Sequence, residues 1–152
     1  RGENGGWITK YAGYAYNALG GLTNGGTYTY SVFIKKTIYN TTNTGLVSLY
    51  NPTAQVVYNF STGTVSLSSG SPISYGCQKI SDTIARVWIT VTLTSTSIGI
   101  GAFDASSNSV MLWGIQVEAG SFPTYPMNQC VPKKNTGLSS GKTSASIHRI
   151  VF

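Results

Sequence analysis

The sequence predicts an all-β domain, folded as an antiparallel β-sandwich. Short stretches of alternating apolar and polar residues recur at fairly regular spacing, separated by clusters of Gly, Pro, Asn and Ser. Gly, Ser, Thr, Tyr and Val are abundant, and no long stretch is rich in Ala, Glu, Lys or Leu, which favours strands over helices. Charged residues make up 9% of the chain, far below the roughly 25% of an ordinary soluble domain. The polar surface must therefore be built from Ser, Thr, Asn and Gly, as on many proteins that work outside a cell. By strand spacing alone a barrel remains an alternative to the sandwich. The 152 residues suffice for one domain that buries about two-thirds of its unfolded surface.

The elements follow in order. Residues 19–26 (LGGLTNGG) read as a turn-rich approach. Residues 27–36 alternate cleanly, with Tyr28, Tyr30, Val32 and Ile34 on one face and Thr29, Ser31, Phe33 and Lys35 on the other. After a loop at 40–45, residues 46–50 form a short strand closed by Asn51-Pro52. Residues 55–60 form another, followed by a turn at 61–63, a strand at 64–67 and a loop at 68–72. The clearest strand is 86–94, with Val87, Ile89, Val91 and Leu93 opposite Arg86, Trp88, Thr90, Thr92 and Thr94. Residues 98–103 and 110–118 read as a final hairpin across the polar loop 104–109. By alternation, Met111, Trp113, Ile115 and Val117 share one face of its second strand, and Leu112, Gly114, Gln116 and Glu118 the other, which makes Trp113 a core residue. Trp7, Tyr11, Tyr14 and Tyr16 cluster where the first strand should run, with packing as their expected role. The domain is expected over residues 1–127, with a Pro-, Ser- and Lys-bearing extension at 128–152. Its composition at 131–146 is that of a flexible coil, and the apolar close at 147–152 is a candidate docked strand.

The net charge of +6 is uneven. Residues 1–130 carry Arg1, Lys10, Lys35, Lys36, Lys79 and Arg86 against four acids, whereas 131–152 carry Lys133, Lys134, Lys142 and Arg149 against none. This basic tail reads first as a solvated tail and second as a holder of anionic surfaces. The body carries no recognition motif for nucleic acid, so none is expected as a partner. No apolar run approaches the roughly 20 residues of a membrane helix. Cys77 and Cys130 lack metal-ligand spacing, and His148 is the single histidine, which excludes a structural zinc site. The spacing of the cysteines leaves their pairing open. Beginning on Arg1, the chain is expected to be a piece of a longer polypeptide.

Three segments carry a family resemblance: GTYTYSVFIKK from Gly26, IARVWITVTLT at 84–94 and VMLWGIQVEAGSFPTYP at 110–126. In this order they resemble the carbohydrate-binding-like, lectin-like jelly-roll domains of bacteriophage tail fibres, tailspikes and other virion proteins. The resemblance covers roughly residues 5–127 and is most specific at Trp113-Gly114, Gln116, Glu118-Ala119-Gly120-Ser121 and Pro123-Thr124. The sequence departs from the family where an aromatic pair would precede the middle-strand arginine. Ile84-Ala85 stands there, and Trp88 follows two residues after Arg86. The ending is altered to Tyr125-Pro126-Met127. The resemblance implies a jelly roll, a virion location outside the host cell, homotrimeric assembly at the end of a fibre and receptor binding.

Sugar-binding sandwiches need an aromatic face for the apolar side of a pyranose, with amides or carboxylates for its hydroxyls. Trp88, Gln116 and Glu118 would line a groove if their faces belong to one concave sheet, and Tyr75, read as a loop residue, is a further candidate. The competing structural reading has this face covered, with Gln116 and Glu118 tying down backbone. The expected ligand is a bacterial surface polysaccharide or other glycan; the alternative is a structural virion module without a sugar ligand. No catalysis is expected. A glycosidase needs two carboxyl groups about 5–10 Å apart. Asp104 and Glu118 lie at opposite ends of the expected last strand, on the order of 25 Å apart at 3.3 Å per residue. Glu3 and Asp82 remain unplaced, and a serine triad would have to recruit His148 from the tail. No cofactor is expected; a structural Ca²⁺ at Glu118 or Asp104, held with backbone carbonyls, is the one metal left open. Asn40-Thr41-Thr42 and Asn59-Phe60-Ser61 match the glycosylation pattern, as chance predicts in a chain this rich in Asn and Thr.

Overall fold

A computed structural model of the chain describes residues 8–10, 17–103, 110–124 and 147–149. They form eleven strands and no helix: β1 (Ile8–Lys10), β2 (Asn17–Leu19), β3 (Thr27–Lys36), β4 (Thr44–Tyr50), β5 (Ala54–Asn59), β6 (Thr64–Gly70), β7 (Ser74–Lys79), β8 (Ile84–Thr92), β9 (Ile98–Phe103), β10 (Val110–Ala119) and β11 (Ile147–Arg149). Two antiparallel sheets pack face to face as a β-sandwich. The first has the order β1-β10-β3-β8-β7, with β11 also on β10, and the second the order β2-β9-β4-β5-β6. Pairing is nested: β1 with β10, β2 with β9, β3 with β8, and β4 with β5. β6 and β7 extend one side of each sheet.

The inner faces are those the alternation predicts for β3 and β8. Tyr28, Tyr30, Val32 and Ile34 of β3, with Ala85, Val87, Ile89 and Val91 of β8, meet Val47, Leu49, Ala54, Val56 and Tyr58 of the opposite sheet, all buried. β1 and β11 share one edge of β10: β1 pairs at Val110–Leu112 and β11 at Gln116–Glu118. The apolar close of the chain thus returns to the first sheet at Ile147–Arg149. The tyrosine cluster at 11–16 and Trp7 lie outside the described residues.

Three expectations are corrected. β9 and β10 do not form a hairpin, because β9 pairs with β2 and β4 in one sheet while β10 belongs to the other. The loop expected at 68–72 begins later, since β6 runs on to Gly70 past a bulge opposite Gln55 and Val56. A strand with weak alternation, β7, was not expected at all, and it carries Tyr75. Its exposed polar sequence SYGCQK holds no β-branched residue. It forms because β8 offers a free edge, with register Ser74↔Thr90 through Lys79↔Ala85.

The Tyr30 hydroxyl is wholly buried and finds no hydrogen-bond partner among the described residues; burial pushes its phenol far above the ordinary value. An unmatched buried hydroxyl costs about 1–3 kcal/mol. Tyr30→Phe is therefore expected to leave stability unchanged or raise it by about 1 kcal/mol, read from the urea midpoint. A loss of more than about 1 kcal/mol would mean that the hydroxyl is satisfied by bound water.

Candidate functional site

The outer face of the first sheet carries most of the residues singled out by the sequence. Cross-strand register arranges them in rows over β10, β3, β8 and β7. One row is Glu118–Thr29–Thr90–Ser74, the next Gln116–Ser31–Trp88–Gly76, and the third Trp113–Phe33–Arg86–Gln78.

Trp113 is on this face and not in the core, as strict alternation would have it. β10 carries a bulge between Trp113 and Gln116, where Gly114 and Ile115 together oppose Val32. Gly114 has φ of +61°, the left-handed conformation that glycine supplies at such bulges. The extra residue resets the phase: Val110 and Leu112 point inward before it, Ile115 and Val117 after it, and Trp113, Gln116 and Glu118 all point outward. A period-2 reading misses this by one residue. The available signal was the glycine itself, since an isolated Gly inside a strand marks a bulge. Trp113 contacts Phe33, with ring centroids 5.1 Å apart, and the Arg86 guanidinium lies 5.4 Å over the Phe33 ring. Phe33 and Trp113 are both half-buried.

Glu118 and Gln116 are buried, at 2% and 1% exposure, which removes them from any open groove. The chain after β10 folds back over this half of the face, and the polar residues beneath hold it there. Glu118 accepts three hydrogen bonds: Thr124 N–H to Oε2 at 2.7 Å, Thr124 Oγ1–H to Oε1 at 2.7 Å, and Gln116 Nε2–H to Oε1 at 3.0 Å. Arg86 donates from Nη2 to Ser31 Oγ at 3.0 Å and to the Thr124 carbonyl. Thr29 donates to the Gly120 carbonyl at 2.8 Å and Thr90 to the Ser121 carbonyl at 3.3 Å. Thr124 is thus held at its N–H, hydroxyl and carbonyl by one carboxylate and one guanidinium. The spacing of Glu118, Gly120, Ser121 and Thr124, the most specific part of the resemblance, is the spacing of this strap. Sequence reasoning missed the part of Arg86, Thr29 and Thr90, which only the register brings together.

Trp88 lies on the outer face and is half-buried. Its indole rests against Gly76 of β7, where a Cβ would stand 2.4 Å from Cζ2, so this row accepts a tryptophan only beside a glycine. Tyr75 is not in a loop and is not beside Trp88. It pairs with Ile89, whose side chain is in the core, and so has the opposite phase, at the open side of the sandwich. Of the four candidates, then, Trp88, Gln116 and Glu118 share a face, only Trp88 stands outside the strap, and Tyr75 is elsewhere.

The remaining chemistry is sparse. Asp82 is exposed and paired with Lys79 at 2.7 Å, and the hydrogen bond from that ammonium holds its carboxyl below the ordinary value. Asp82 precedes β8, while Glu118 is level with Thr90 near the other end of that strand. Six residue steps at ~3.3 Å put the rows about 20 Å apart. Glu3 and Asp104 lie outside the described residues. Among the described residues no three His, Cys, Asp or Glu come together, and the Glu118 oxygens already accept protein donors. Cys77 is a free thiol that donates weakly to the Gly63 carbonyl, and burial pushes it up. Asn40 is buried and donates to the Thr44 carbonyl, and Asn59 Oδ1 accepts the N–H groups of Ser61 and Thr62, so both glycosylation matches serve as loop anchors.

No protein-family model matches this sequence, and no curated protein is significantly similar to it.

Proposed function

We propose that this chain is a non-catalytic binding module of a phage tail fibre or tailspike, exposed on the virion, that contacts host-surface glycan. The nested strand pairing supports reading the sandwich as a jelly roll, in which successive pairs of strands wrap into two sheets. One observation carries the ligand: beside the strap the outer face presents Trp113, Phe33 and Trp88, three aromatics that are half-buried among the described residues. Such rings stack on the apolar side of a pyranose. The separation of Asp82 from Glu118 supports the absence of glycosidase chemistry. Three weak sites on one homotrimeric fibre would gain by avidity.

The experiment is binding of the purified chain to an array of bacterial surface polysaccharides, with Trp88→Ala and Trp113→Ala beside the wild type. The expected result is a specific hit weakened at least tenfold in one or both variants. Absence of binding by the folded wild type overturns the glycan reading. A second reading, a structural virion module, is favoured by the strap: Gln116 and Glu118, the groups best suited to sugar hydroxyls, already hold the chain's own backbone.

A further inference from the structure

The two ends of the sandwich differ in charge. Every lysine among the described residues closes its strand at one end: Lys10 of β1, Lys35 and Lys36 of β3, and Lys79 of β7. Register sets them level, since Lys10 and Lys36 both pair with Val110, Lys35 with Ile84 and Lys79 with Ala85. The one described acid at this end is Asp82, in the turn between β7 and β8, and Lys79 pairs with it at 2.7 Å. Glu118, the other described acid, stands toward the far end beneath the strap. Six charged residues lie outside the described ones: Arg1, Glu3, Asp104, Lys133, Lys134 and Lys142. Assigning both of those acids to this end, and none of the bases, still leaves it positive, with four lysines against three acids.

The connections at this end carry apolar side chains that the core does not use. Ile38 is 90% exposed, Tyr39 64% and Ile80 50%. Hydrogen-bonded turns hold them there. The Tyr39 N–H donates to Thr37 Oγ1 at 3.2 Å, the Asn40 N–H to the Thr37 carbonyl, and Asn40 Nδ2–H to the Thr44 carbonyl. The Ile80 and Ser81 N–H groups donate to the Ile84 carbonyl, and Ser81 Oγ accepts from the N–H groups of Thr83 and Ile84. The Lys36 N–H donates to the Thr83 carbonyl at 2.8 Å, which sets the two turns side by side. Ile73 is exposed at the opposite end, where no described lysine stands.

We propose that this end docks on an anionic lipid bilayer, with Ile38, Tyr39 and Ile80 entering the headgroup layer and Lys36 and Lys79 meeting lipid phosphates. Charge complementarity selects an anionic surface, and the apolar tips select a lipid one. Side chains this exposed line no groove for a folded partner, whereas a fluid layer closes around each of them. An acidic soluble partner would engage the lysines and leave both isoleucines in water. Tyrosine, with an apolar ring and a polar tip, suits the depth of the headgroups. Lysine stems are long enough to keep their ammonium groups at the phosphates as the turns sink. Lys36 donates to Asn43 Oδ1, and its ammonium carries three donors in all. Contact through loop tips needs no spanning segment. The inference does not rest on the glycan reading, because Trp88 and Trp113 are untouched by its test.

The test is co-sedimentation of the full chain with phosphatidylcholine vesicles, either neutral or containing about one-third phosphatidylglycerol, in about 0.1 M salt. Binding to the anionic vesicles is expected for the wild type. Ile38→Ser with Tyr39→Ser removes no charge and keeps the backbone bonds of the turn, and is expected to weaken binding by about tenfold or more. Lys36→Gln with Lys79→Gln is expected to do the same. Ile73→Ser, at the opposite end, is expected to bind as the wild type does. Melting midpoints establish that each variant is folded, and the serine pair decides the matter if the glutamine pair is not. A wild type that ignores anionic vesicles, or binds neutral ones equally well, overturns the proposal. So does a folded serine pair with wild-type binding, the outcome if the basic stretch 131–152 alone holds the lipid. An equal loss in Ile73→Ser overturns it too.

Discussion

Glu118→Ala is expected to cost about 4 kcal/mol of folding stability, the scale for breaking one side of a buried charged network. The carboxylate accepts from both Thr124 donors and from Gln116, and all of them lose a charged acceptor at once. Arg86, at 6% exposure, shares Thr124 with that carboxylate and loses a fixed acceptor when the segment is released. The loss should appear in the urea midpoint and also locally. Without its clamp the strap opens, and limited proteolysis should cut beside Phe122, which stands 79% exposed between anchored neighbours. Glu118→Gln keeps the shape but swaps one acceptor oxygen for a donor, and should cost about half as much. A loss under about 1 kcal/mol for the alanine variant would mean that the strap contributes nothing to the fold.

The second large effect belongs to Gly114, where two changes are expected to diverge. Gly114→Val should cost about 3 kcal/mol, because a β-branched residue is forced to positive φ and its Cβ would stand 3.2 Å from the Phe33 ring. Deleting Gly114 should cost less. The glycine is the extra residue of the bulge, so without it Ile115 falls opposite Val32 and every flanking side chain keeps its face. Melting midpoints of the two variants check this. If the deletion unfolds the protein while the valine variant stands, Gly114 is not the inserted residue and the phase assignment of Trp113 is wrong.

Much of the fold was legible in the sequence for a simple reason. Where one face of a strand is core and the other is not, the period of two is written in the residues. β3 and β8 kept the faces that their alternation predicts, and β9 its bounds. The bland strand β7 was illegible, because its pairing is owed to a neighbouring edge and not to its own side chains.

The candidate site was legible only in part. The sequence by itself determined an all-β chain, the apolar faces of β3 and β8, and the outward face of Trp88, because each follows from local alternation. Tertiary structure decided the rest. One inserted residue at Gly114 turned Trp113 outward, since a bulge shifts phase without altering composition. The return of the chain after Gly120 buried Gln116 and Glu118, since a carboxylate that would suit a sugar hydroxyl suits a backbone N–H equally well. Which of the two it meets depends on contacts far apart in sequence: Thr29, Arg86 and Thr124 come together only when three strands and the segment that crosses them are in register.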